Sequence, residues 1–229
     1  MKKTSKKGTI LLTLGLLLLA ASLCLAGYNL YLSYHSDPET ALELDVLKSE
    51  IAENTEAKKE KAEALTAAPE PSVTPSPEDT SGEPAIEAPK ETHPDQMPEN
   101  VVGNKHYVGV LSIEALELEL AVQSEYSDNN AMYTPCRYRG TTYEDNLVIC
   151  AHNYKKHFGQ LEKLNIGDRI SFTDVDGNTI DYSVVLKETL ERTAIEEMTS
   201  GEYDLTLFTC TPGGAARVTI RCDRVEETK

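Results

Sequence analysis

"LTLFTCTPGGAARVTIRC", residues 205–222, decides how the rest of the chain is read. Two short apolar runs flank a Thr-Pro-Gly-Gly turn, which is the pattern of a β-hairpin. If the runs pair antiparallel across 211–216, Cys210 falls opposite Arg217, Phe208 opposite Thr219 and Thr206 opposite Arg221. On the other face Thr209 meets Val218, Leu207 meets Ile220 and Leu205 meets Cys222. The second set is nearly all apolar and suits a core, whereas the first carries a thiol and two guanidiniums. Opposed residues have Cβ atoms about 4.5–5.5 Å apart. A thiol held that close to a fixed positive charge is a candidate nucleophile.

Upstream of the hairpin, runs of the same kind recur at 107–113, 116–122, 146–151, 169–173 and 179–188. Short helices are expected near 157–164 and 194–200. Seven or eight short strands with few helices predict a mainly β domain, a small closed barrel or a sandwich, over 101–229. "DVDGN" at 174–178 begins like a calcium loop, but its glycine comes early and no glutamate stands at the twelfth position, so it reads as a hairpin turn.

A nucleophilic thiol needs a proton-transfer partner. Of five histidines, His35 and His93 lie outside the predicted domain and His106 precedes its first strand. His157 falls on a loop or short helix. His152 ends the buried run "NLVICA", where a strand end can present a side chain beside a neighbouring strand, and it is the best-placed partner. Taken singly, each residue has a plain structural explanation: a buried cysteine, a surface arginine, a satisfied strand-end histidine. It is their joint occurrence at strand ends that points to chemistry.

The N-terminus explains where this chemistry takes place. Residues 1–8 are a basic stub, and residues 9–33 carry no charge and are long enough to span a bilayer. Lysines on the N-terminal side place that end in the cytoplasm and the rest of the chain outside, on a single-pass anchor. A cleaved secretory signal is the alternative, disfavoured by the length of the apolar stretch. Residues 34–100 read as a juxtamembrane helix, solvated and fraying, followed by a Pro-, Glu- and Ser-rich acidic linker unable to bury enough surface to order itself. The net charge of −16 excludes nucleic acid as a partner. Cys136, Cys150, Cys210 and Cys222 could form two disulfides in an oxidising exterior, but a domain of this size folds without them, and their spacing holds no CxxC pair for a metal. Neither metal nor cofactor is expected.

"TLFTC" at 206–210, the arginine of "ARVTIR", "LVICAHNY" at 147–154 and "YVGVLSIEALELELAV" at 107–122 together resemble the sortases, membrane-anchored cysteine transpeptidases of Gram-positive bacteria. The resemblance covers about 101–225 and implies a single closed sortase-type β-barrel. It implies Cys210 as nucleophile on an LPxTG-like sorting motif, His152 as general acid and then base, and Arg217 as substrate and oxyanion support. Thr209 and Asn153 are weaker candidates for that support. The partners implied are surface proteins or pilins bearing a sorting signal, and an amine acceptor from a peptidoglycan stem peptide or a lysine. The spacing of Cys210 and Arg217 is short for the family, and no acidic set marks a calcium site; a class B- or D-like member is expected. A thiol peptidase that hydrolyses the same acyl-enzyme, and a non-catalytic surface-binding module, are the competing readings. A thiol–disulfide enzyme is the least favoured, since no resolving cysteine lies within three residues of Cys210.

Overall fold

A computed structural model describes residues 6–34, 38–66 and 96–226. Most of the expected acidic linker, His35 and His93 lie outside the described residues. The first helix, α1 (Lys6–Tyr34), contains the apolar span Ile10–Tyr31, 22 residues with a mean hydropathy of 2.5 and side chains exposed along its length. It is long and apolar enough to cross a membrane.

Among the described residues nine strands make one sheet. They are β1 (Asn100–Val102), β2 (Lys105–Ile113), β3 (Leu118–Gln123), β4 (Cys136–Arg139), β5 (Leu147–Cys150), β6 (Arg169–Asp174), β7 (Thr179–Glu191), β8 (Leu205–Cys210) and β9 (Ala216–Arg224). Their order is β1-β2-β3-β4-β5-β8-β9-β7-β6, and β6 returns to pair with β2, so β2 to β9 close an eight-strand barrel. The seven apolar runs all became strands. The two strands without such a run are β1, which is three residues long, and β4. Three of the four residues of β4 are polar or charged, and a bulge between Arg137 and Arg139 breaks its period.

The barrel interior is aliphatic, with Leu111, Ile149, Leu207 and Ile220 fully buried among Phe158, Phe172 and Tyr182. The "DVDGN" stretch is the β6–β7 turn. Asp174 is buried and its carboxylate accepts from Asp176 N, Asn178 N and Asn178 Nδ2 at 3.0, 2.8 and 2.8 Å, which closes the turn. Gly177 sits at φ +81, and a Cβ there would come within 2.0 Å of Thr55 Oγ1.

Thr55 belongs to α2 (Pro38–Thr66), and here the structure differs from the solvated helix expected of this segment. Glu43, Leu47 and Ile51 lie one turn apart on one face, and all three are buried. Leu47 and Ile51 pack with Val102, Tyr107, Val110, Ala121 and Val175 of the barrel. Glu43 Oε2 accepts from Lys105 Nζ and from Tyr107 Oη, both at 2.8 Å. Asn54 Nδ2 donates to Val175 O at 2.9 Å and Lys58 Nζ to Asn178 Oδ1 at 2.7 Å. The apolar stripe is narrow, but it meets a matching patch on the outside of the barrel. A stripe of two aliphatics is stable on such a patch and not in water.

Candidate active site

The hairpin forms in the register read from its sequence: Cys210 opposes Arg217, Phe208 opposes Thr219, and Leu207 opposes Ile220. Its turn needs the two glycines for their backbone, since Gly213 (φ +84) and Gly214 (φ +75) are both left-handed and have open space where a Cβ would be. The turn is closed by Thr211 N donating to Ala216 O at 2.9 Å and Ala216 N donating to Thr211 Oγ1 at 3.1 Å.

β5 runs parallel to β8, with Cys150 level with Phe208. Extending both strands by two residues sets His152 level with Cys210. Two bonds continue the pairing past the strand end: Ala151 N donates to Phe208 O at 3.3 Å, and Thr209 Oγ1 donates to Ala151 O at 2.7 Å. His152, Cys210 and Arg217 therefore stand in one row across β5, β8 and β9, at one end and on one face. All three are half-buried and line one cavity of about 210 Å³. Of His106, His152 and His157, only His152 lines it. A larger polar cavity, about 530 Å³, lies beyond the α3 turn (Asp128–Ala131) around Glu99, His106 and Gln123, and contains none of the three.

Arg217 Nη1 reaches the carbonyls of Ala216 and Gly214 at 3.2 and 3.5 Å, which holds its fork over the hairpin mouth. Thr209 lies in the cavity wall, 3% exposed, with its one proton committed to Ala151 O, so its hydroxyl fixes the strand beneath His152. Asn153 is exposed and does not line the cavity. The His152 ring lies against Tyr154, centroids 5.1 Å apart, and Tyr154 lies against His157 at 5.6 Å. His157 is buried; its Nε2 donates to Tyr133 O at 2.9 Å while Nδ1 has no partner among the described residues, and burial drives its pKa down to about 4. The loop between them is pinned by Phe158 N donating to His152 O at 3.2 Å. Gly159 is required there because a Cβ would meet Asn153 O at 2.4 Å.

One wall of the cavity is aromatic: Tyr126 and Tyr138 meet edge to face at 5.7 Å, and Tyr138 meets Phe208 at 5.3 Å. The other wall is the β7–β8 connection, with Arg192, Ile195 and Met198, the last two on α4 (Ile195–Met198). Arg221 holds that wall. The sequence pattern puts Arg221 on the face that carries the thiol and Arg217, and the structure buries it there at 2% exposure. Its Nε meets Glu188 Oε1 at 2.8 Å, and its two terminal nitrogens donate to Met198 O and Glu197 O at 2.9 and 2.6 Å. Period two placed it on the correct face, but a contact with a distant loop covers that end of the face. The cysteines are all free thiols, and Cys136 and Cys150 face each other across β4–β5. Burial pushes the Cys136 thiol up to about 12 and raises those of Cys150 and Cys222 as well.

The sortase domain model matches residues 111–225, half of the chain. The chain belongs to the sortase family. Sortase A from Corynebacterium diphtheriae superposes with a TM-score of 0.50 at 20% identity, over 54% of this chain and 63% of that one. Sortase C1 from Streptococcus agalactiae gives 0.49 at 21% identity, over 56% and 72%, and sortase C1 from Streptococcus suis 0.48 at 26%, over 53% and 74%. The chain spans 66% of the length of sortase C1 of GBS pilus island 1. At these identities the likeness is one of fold. No curated protein sequence matches significantly. The closed barrel is thus a sortase barrel, with α2 packed on its outside.

Proposed function

We propose that this sortase is a cysteine transpeptidase that cleaves an LPxTG-like sorting motif and passes the acyl part to an amine. The observation that carries the reading is the single row His152–Cys210–Arg217 along one side of an apolar cavity. Cys210 passes its thiol proton to His152, and the Sγ attacks the scissile carbonyl carbon. The oxygen takes the negative charge and is met by the Arg217 fork. His152 gives a proton to the departing amine as the C–N bond breaks, leaving a thioester. An acceptor amine then attacks the thioester, His152 takes its proton and returns it to the departing Cys210 thiolate, and the thiol is restored. The aromatic and aliphatic walls support an extended peptide with an apolar residue upstream of the cleaved bond. The apolar N-terminal helix supports a single-pass membrane anchor with its lysines on the cytoplasmic side. In that topology the donors are exported proteins bearing a sorting signal, and the acceptor is a cell-wall stem-peptide amine or a pilin lysine.

The test is product analysis with the full chain in detergent. LPxTG-like peptides are incubated with and without an amine, and masses are compared between the wild type and Cys210→Ala. A Cys210-dependent product carrying the amine is expected. Hydrolysis that no amine diverts would make the protein a peptidase, and no Cys210-dependent cleavage on any peptide would sink the catalytic reading.

A further inference from the structure

The cleft carries a second arginine that the proposed chemistry does not use. In the β7–β9 register Leu190 opposes Arg217 and Glu191 opposes Ala216. Side chains alternate along β7, so Glu188 and Leu190 share the outer face with Arg217 and Cys210. Glu188 meets Arg221 there, and Leu190 packs against the buried cluster that includes Phe208 and Met198. The next outward position is Arg192, in the turn that ends the strand, and it lines the same cavity as Cys210. Arg192 and Arg217 thus line one cavity from neighbouring strand ends. Arg221 and Arg224 have carboxylate partners in Glu188 and Asp145. Among the described residues no carboxylate pairs with Arg192, although Glu191, Glu196 and Glu197 are close in sequence. Arg217 likewise reaches only carbonyl oxygens. Arg192 is exposed and Arg217 half-buried, so solvent screens their mutual repulsion, and a carboxylate in the cavity would be attracted by both guanidiniums.

We propose that Arg192 is a specificity-determining residue that binds a side-chain carboxylate of the donor peptide, on the acyl side of the scissile bond. This rests on the transpeptidase reading. The acyl side is favoured because that segment stays bound through both half-reactions. The incoming acceptor presents an amine, which two guanidiniums disfavour when it is protonated. Ile195 and Met198, next along the same wall, take the apolar neighbour of the acidic residue. The preferred donor is therefore a sorting signal with Asp or Glu at its variable position.

The experiment uses the full chain in detergent and three donor peptides that differ only by Glu, Gln or Lys at that position. kcat/KM is measured for the wild type, Arg192→Gln and Arg192→Glu. Wild type is expected to favour Glu over Lys by about fivefold, mostly in KM, and to lose the preference as salt is raised. Arg192→Gln should level the three peptides and Arg192→Glu should reverse their order. No charge preference in the wild type, or one that Arg192→Gln leaves intact, overturns the proposal. So does a preference that follows a carboxylate on the acceptor amine and ignores the donor. Peptide Kd on Cys210→Ala reads the same order without turnover, so loss of the chemistry and loss of the charge selection are told apart.

Discussion

His157 should make the stability of the domain depend on pH between about 4 and about 6.5. The ring is buried, keeps its Nε2–H on Tyr133 O, and has no partner for Nδ1 among the described residues. Desolvation, aided by the Lys156 charge, lowers its pKa to about 4. The unfolded chain takes up a proton near 6.5. The folded state holds fewer protons in this window, so the contribution is whole above about 6.5 and is lost as pH falls toward 4. A shift of this size corresponds to about 3 kcal/mol in full, of which about 2 kcal/mol is already lost at pH 5. His157→Gln can keep a donor on Tyr133 O and cannot titrate. Urea unfolding, followed by tyrosine fluorescence because the chain has no tryptophan, would be run on both proteins at about pH 7.5 and about pH 5. The carboxylates titrate in both, so the quantity that matters is the difference between the two pH drops. The wild type should lose about 2 kcal/mol more than the variant. Equal drops would refute the argument and would mean that the ring gains a proton in the folded state at little cost.

Replacing Arg217 by Lys keeps the charge and removes the fork; turnover should fall at least about 10²-fold with the fold intact, and near-full activity would remove Arg217 from oxyanion support. Iodoacetamide near neutral pH should modify Cys210 and spare Cys136, Cys150 and Cys222, whose thiols are buried and pushed up; peptide mapping showing Cys150 labelled as fast as Cys210 would contradict this. Leu47→Ala should cost about 2–5 kcal/mol in chemical denaturation, because the side chain is fully buried between α2 and the barrel; a change below about 0.5 kcal/mol would mean that the helix is not docked in solution. Thr209→Val should leave the buried Ala151 carbonyl unpaired, costing about 1–3 kcal/mol, and lower kcat through a displaced His152; unchanged kcat would confine Thr209 to packing.

What could be read along the chain is what short-range rules govern. The apolar span of α1 follows from composition, because a bilayer sorts residues by hydropathy alone. The β8–β9 hairpin follows from period two and a Pro-Gly-Gly turn, and with its register came the facing of Cys210 and Arg217. Where the local pattern was weak, the reading failed with it: β4 has four residues and a bulge, and α2 shows two buried aliphatics in a mostly polar and charged helix. The tertiary structure alone decided the rest. His152 reaches Cys210's level only because β5 and β8 pair in parallel across more than fifty residues, a contact that no local periodicity encodes. Arg221 and Arg192 are two arginines near the thiol's end of the barrel, one in β9 and one in the turn after β7. One is covered by the carbonyls of α4 and the other opens onto the cleft, because the chain between β7 and β8 folds back over only one of the two positions. Local sequence sets which face a side chain takes, and long-range packing sets what that face meets.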